Sequence, residues 1–287
     1  MVRIFGFLIG LFFSGWLVVS FVIGASEFVT NPPVKSPEYA FHEEPKDISF
    51  PSDGPLGKFD RQQLQRGFQV YKEVCAACHS IRLVAFRNLA EIGYNEDEVK
   101  AIAANWPIPT PDIDPATGEM STRPSLAADK FPKPFANDVA AGAANNNAIP
   151  PDLSLITKAR EGGAPYIYSL LTGYQEPPAD LPEANRPGPG LHYNPYFANL
   201  NLAMAPPIVV EDQVSYSDGT KASIEQMSAD VSAFLIWSAE PKLEERHQTG
   251  WAVIAFLLIA TILAYLSYRT IWADVKAEKK KKIADDA

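Results

Sequence analysis

Cysteine and histidine are scarce in this chain, with two and four residues among 287. A zinc site built on Cys75 and Cys78 would want two more Cys or His ligands at close spacing, and His42, His192 and His247 stand far apart. No third cysteine exists to pair with either thiol. Basic residues are outnumbered, 25 against 34 acidic, for a net charge of −9, so nucleic acid is not an expected partner. No internal repeat is visible. The chain opens without an Arg-rich amphipathic stretch, which argues against a mitochondrial import route. Charge-free apolar runs are limited to two, one near each end.

The first run, Ile4 to Ala25, follows a single Arg3 and ends in Gly24-Ala25-Ser26. Its small-residue end predicts a secretory signal cleaved after Ala25. Its length also suits an uncleaved anchor, since about 20 apolar residues span a bilayer. The second run, Trp251 to Tyr268, holds 18 residues without a charge. A helix of that length rises about 27 Å, close to the hydrocarbon thickness. Trp251 at one end and Tyr265, Tyr268 and Trp272 at the other suit the interfaces, and Arg269, Lys276 and Lys279 to Lys282 place the C-terminus in the cytoplasm. Four segments are therefore expected: residues 1–25 as signal or N-terminal anchor, 26–250 as an exported domain, 251–270 as a transmembrane helix, and 271–287 as a basic tail. A bacterial periplasm is the expected compartment. Ser26 to Gly250 carries 18 basic against 30 acidic residues, net −12, a field that steers basic partners or simply keeps the domain soluble.

What the chain does have is Cys75-Ala76-Ala77-Cys78-His79. Two thiols three residues apart, with histidine next, form the attachment pattern of c-type haem. On a helical turn the sulfurs reach the two vinyl groups of one porphyrin edge, and the following imidazole points at the iron. A redox disulfide is the competing reading, but no strand-to-helix turn surrounds the pair. The chain reads as a cytochrome with one covalently held haem c.

Twenty-five prolines and 17 glycines predict long irregular connections. Asp60 caps a helix with Leu64, Phe68, Tyr71 and Cys75 on its inner face. Shorter helices are expected over Leu83 to Leu89, Asn95 to Ala104, Pro150 to Ala159 and Tyr166 to Leu171, and a well-patterned one over Ser223 to Ala239. Trp106 to Asp138 and Gln175 to Pro195 read as proline-rich loops. The fold class is mainly α.

A c-type haem with one histidine needs a second axial ligand or an open position, and methionine suits electron transfer by raising the potential. Three internal methionines are available. Met227 belongs to the apolar stripe of the last soluble helix, and Met120 sits in a polar stretch. Met204 stands in Leu202-Ala203-Met204-Ala205-Pro206-Pro207, where prolines stiffen the backbone and alanines permit close approach. Met204 is the chosen ligand, with His192 as runner-up.

The stretch Arg66 to Ser80 closely resembles the cytochrome c1 family of ubiquinol–cytochrome c reductase. So, in order, do Phe131 to Phe135, Ala143 to Asn146, Pro150 to Ser154, Ser169 to Tyr174, Tyr193 to Phe197, Met204 to Ile208 and Trp237 to Pro241. The resemblance implies a class I cytochrome c-like domain with long proline-rich loops and one C-terminal transmembrane helix. It implies haem c on Cys75 and Cys78, iron ligation by His79 and Met204, and a propionate contact from Arg160. Asn145 and the Pro150-Pro151 backbone would line the haem edge. Trp106 to Thr117 and Ala179 to Pro189 depart from mitochondrial relatives, and Gln175 stands where some members carry cysteine.

The expected function is electron transfer within a dimeric complex, from a Rieske iron–sulfur protein to a basic cytochrome c. Cytochrome b would supply the quinol site and pack on the transmembrane helix. No catalytic acid, base or nucleophile is evident, so the chain is expected to be a subunit of an enzyme without a catalytic site of its own. A tethered cytochrome serving another dehydrogenase or oxidase is the alternative, as is a haem gas sensor.

Overall fold

A computed structural model describes residues 2–32 and 35–285. Among them the structure is mainly helical, with two short β-hairpins. Helix α1 (Val2–Thr30) and helix α9 (Leu243–Asp285) are each long and apolar enough to cross a membrane by length and composition, and nothing of either apolar window is buried. Helix α2 (Pro37–Phe41) is a single turn in the lead-in segment.

The core is organised by two helices that cross, α3 (Arg61–Val70) and α8 (Ile224–Ala239). Each starts where its cap dictates. Asp60 accepts from the N–H groups of Gln62 and Gln63 at 3.0 and 3.3 Å, and Ser223 Oγ accepts from Gln226 N–H at 3.1 Å. Gly67 sits at the crossing, where a Cβ would collide with the Asp230 carbonyl and the Phe234 side chain. Beside it the fully buried Asp230 accepts from Arg66 Nε at 2.9 Å. Rings of Phe68, Tyr71, Phe131 and Phe234 pack around this crossing, with centroids of Phe68 and Phe234 5.7 Å apart. Edge-to-face and tilted pairs of this kind add to the area they bury.

The remaining elements are short. Helix α4 (Glu96–Ala104) carries the reciprocal Asn95–Glu98 capping box, with bonds of 2.7 and 2.9 Å. Strands β1 (Thr110–Ile113) and β2 (Met120–Arg123) pair antiparallel in a register of Thr110 with Arg123 and Ile113 with Met120. Helices α5 (Asp138–Ala144), α6 (Ile156–Ala159) and α7 (Gly163–Leu171) follow, and strands β3 (His192–Tyr193) and β4 (Asn201–Leu202) close a second small hairpin. The expected transmembrane run Trp251 to Tyr268 lies inside α9. Before that run, Glu244 accepts from Phe59 N–H at 2.7 Å and from Arg61 at 2.9 Å, tying the start of α9 to the domain.

Several expectations shift. The helix expected over Leu83 to Leu89 is a 3₁₀ segment at Phe86–Ile92, because Val84 and Phe86 spend backbone groups on Phe131 and Asp129. The helix expected from Pro150 begins only at Ile156. There the Leu153 N–H donates to Ser80 O at 2.7 Å, and the Ser154 N–H donates to the Asp152 side chain at 3.0 Å. Those donors are committed outside a helix. Both hairpins lie in or beside stretches read as proline-rich loops, where no alternation of apolar and polar residues announces them.

Candidate functional site

Helix α3 does not continue regularly to the cysteines. It widens into a π-helical turn at Tyr71–Cys75, closed by a 2.8 Å bond from Ala76 N–H to Tyr71 O. Single π turns recur at functional sites. The N–H groups of Cys78 and His79 then fold back onto Cys75 O at 3.1 and 2.9 Å. Cys75, Cys78 and His79 thus share one tight coil, and all three line a cavity of about 1110 Å³.

The other walls come from distant parts of the chain. Leu153, Ile156, Ile167, Leu171, Val231 and Leu235 make an apolar face that is continuous with the core. The loop of Met204 supplies another wall, and Asn145, Pro151 and Arg160 lie on the lining as well. All seven residues proposed from sequence therefore border one space. Arg160 is exposed at the rim, donates to Ala159 O at 3.1 Å, and among the described residues pairs with no carboxylate. Asn145 donates to Ala141 O at 2.8 Å. The rejected candidates lie elsewhere. Met227 is fully buried in the core, Met120 is 77 % exposed on β2, and His192 sits on β3 off the lining.

His79 is oriented by its neighbours. Its Nδ1 stands 2.8 Å from Pro151 O, a pure acceptor, so Nδ1 carries the proton and Nε2 keeps its lone pair. Burial pushes the imidazole below its ordinary pKa, against the opposing pull of the Pro151 bond and the Asp152 charge. A neutral imidazole is the form that binds a metal. Burial, and then the proximity of Cys78, pushes the Cys75 thiol up to about 12.

Three features carried no assigned role in the sequence reading. Asp152 accepts from Ser80 Oγ at 2.6 Å, Arg82 N–H at 2.9 Å and Ser154 N–H at 3.0 Å, bracing the Pro151 carbonyl against the histidine segment. Burial alone would raise its carboxyl, but the bonds from Ser154, Ser80 and Arg82 outweigh that and hold it below the usual range. The buried Tyr71 hydroxyl donates to His79 O, and the Tyr174 hydroxyl to Met204 O, each at 3.0 Å. Bonds that join residues 30 or more positions apart, such as that of Tyr174, leave no local pattern to read.

The donor set fits a haem of the c type. Two thiols stand next to an imidazole whose second nitrogen is already engaged, a thioether residue borders the same space, and the walls are largely apolar. Among the described residues no three of His, Cys, Asp and Glu cluster as a metal site, so the cysteines lack the companions that zinc requires.

A sequence model of the Cytochrome C1 family matches residues 50–275. The chain is 45% identical over 235 residues to cytochrome c1 of Rhodospirillum rubrum, covering 78% of this chain and 85% of that one. It is 42% identical over 272 residues to the mitochondrial heme protein cytochrome c1 1 of Arabidopsis thaliana, covering 95% and 83%. Cytochrome b/c1 of Bradyrhizobium diazoefficiens is 44% identical over 239 residues, which span 77% of this chain and 34% of that longer protein. The chain belongs to the cytochrome c1 family, whose members carry covalently bound haem c.

Proposed function

We propose that this chain is the membrane-anchored haem c subunit of a ubiquinol–cytochrome c reductase. The observation that carries the reading is the convergence of Cys75, Cys78, His79 and Met204 on one largely apolar cavity. Thioether bonds from Cys75 and Cys78 would fix the haem, and His79 Nε2 and Met204 Sδ would ligate its iron. When bound, the haem supplies a one-electron iron couple, here between a Rieske iron–sulfur protein and a basic cytochrome c. The protein's own residues do the tuning. The Pro151 carbonyl makes the imidazole a better donor by holding its Nδ1 proton. Leu153, Ile156 and Leu235 on the cavity wall would shield the bound haem from water. Arg160 at the rim would neutralise a propionate through a charge-assisted bond, and Asn145 and Pro151 would line the haem edge.

Segment 26–250 is the haem domain and would lie in the bacterial periplasm. Residues 251–270 would cross the membrane to a basic cytoplasmic tail, and residues 1–25 would serve as the export signal. The name of the longer relative, cytochrome b/c1, joins this family to cytochrome b and supports a cytochrome b partner; the complex they form would be dimeric. The net charge of −12 between Ser26 and Gly250 favours a basic acceptor.

The test uses protein purified gently from membranes. Added quinol reduces the haem only while cytochrome b and the Rieske protein are present, and onward transfer to a basic cytochrome slows as ionic strength rises. A haem that quinol leaves oxidised, yet another dehydrogenase reduces, would transfer the chain to a different electron-transfer system.

A further inference from the structure

The segment Ala203-Met204-Ala205-Pro206 is short of fastenings. On one side β4 ends at Leu202, where the last ladder pair is with His192. On the other, Gln213 holds Pro207 O at 2.8 Å and the Val209 N–H at 3.0 Å. Pro206 has no N–H to give. Between these two anchorages, among the described residues, one hydrogen bond reaches the backbone. It is the 3.0 Å bond from the Tyr174 hydroxyl to Met204 O.

Tyr174 is well placed to serve as that tie. It follows α7 by three residues and is half-buried, with its hydroxyl on the backbone of the cavity-lining Met204. The preceding Gly173 lets the Tyr196 ring lie against the backbone, and a Cβ there would collide with that ring and with Ser169 O. The chain can leave α7 in the direction that brings the phenol to Met204 because residue 173 has no side chain. The phenol O–H donates and the Met204 carbonyl oxygen can only accept, so the direction of the bond is fixed. The matching arrangement on the opposite segment is Tyr71, whose hydroxyl holds His79 O at the same 3.0 Å. There the bond is one of many. At Met204 it stands alone.

We infer that Tyr174 is a positioning residue for the sixth iron ligand, its hydroxyl holding the Met204 backbone so that the thioether faces the iron. This rests on the reading of Met204 as that ligand. A neutral hydrogen bond contributes about 1 kcal/mol, which corresponds to roughly a fivefold change in a local opening equilibrium.

The experiment compares holoprotein of the native chain with Tyr174→Phe, Tyr71→Phe and Met204→Leu. Three quantities are read: the ferric methionine–iron absorption band, the rate of carbon monoxide binding to reduced haem, and the urea midpoint. Phenylalanine keeps the ring and removes only the hydroxyl. Tyr174→Phe is expected to weaken the ferric band and speed carbon monoxide binding about fivefold. Tyr71→Phe calibrates the folding cost of losing such a bond and shows a smaller gain in carbon monoxide binding. A lower urea midpoint for Tyr174→Phe with an unmoved band and unmoved carbon monoxide rate would overturn the inference. So would equal acceleration in both tyrosine variants, which would mean general loosening of the domain. The ligand reading fails separately, if the native band is absent or survives in Met204→Leu.

Discussion

Among the described residues, five hydrogen bonds join residues 79–83 to residues 151–154 on the His79 side of the cavity, while on the Met204 side one hydroxyl reaches the backbone between Ala203 and Pro206. The first set comprises the His79–Pro151 bond, Ser80 and Arg82 on Asp152, Leu83 on Ser154, and Leu153 on Ser80. It makes a stiff seat that rests on the α3–α8 crossing. The second is a lightly held strap. The contrast fits the proposed c-type site, in which His79 shares one tight coil with the two thiols that would hold the haem. In the proposed arrangement Met204 would close from another part of the chain, and its hold would set how readily the iron opens to other ligands. Local stability in proteins varies in this way, with the lightly bonded segments opening first.

The contrast can be broken most severely from beneath the histidine side. Gly67→Ala adds a methyl where the Asp230 carbonyl lies, forcing α3 and α8 apart. Alanine gains about 1 kcal/mol in helix propensity, yet a net loss of about 3 kcal/mol is expected from overpacking. Urea denaturation of the holoprotein measures it. A variant as stable as the native chain would mean that the crossing is not the foundation of the seat.

A smaller effect is expected at Asp152. Asp152→Ala leaves Ser80, Arg82 and Ser154 without their shared acceptor, and a loss of about 2 kcal/mol follows from charged hydrogen bonds of this kind. The pH dependence has a definite sign. Because the folded-state pKa of Asp152 is depressed, its contribution is present above the ordinary aspartate value near 4 and is lost as pH falls through the lower folded value. The native chain therefore loses more stability between about pH 5 and pH 3 than Asp152→Ala does. Parallel acid titration curves of the two, followed by urea midpoint, would remove Asp152 from the brace.

The sequence was informative where chemistry or periodicity is local. Cys75, Cys78 and His79 announce themselves by spacing, α8 by its apolar stripe and Ser223 cap, and the apolar run of α9 by its lack of charge. Met204 is proposed by elimination among three methionines and by its flanking alanines and prolines, and it borders the same cavity as the cysteines. The rest depends on tertiary pairing. Asp152 looked like part of a helix start because proline and aspartate favour one, and only the approach of residues 80–83 shows why the backbone stays irregular. Gly67 carries no local mark of a crossing, and β1–β2 pair through polar residues that read as loop. Tyr174 sits in a block that the resemblance singled out, but its partner lies 30 residues away.

The most direct measurement is the absorption spectrum of oxidised and reduced holoprotein for the native chain and Met204→Leu. A six-coordinate low-spin haem in the native chain, with conversion to a high-spin form that binds carbon monoxide in the variant, is the predicted result. A spectrum that Met204→Leu leaves unchanged would contradict the account, since the iron would then take its second ligand from outside the Ala203–Pro206 strap.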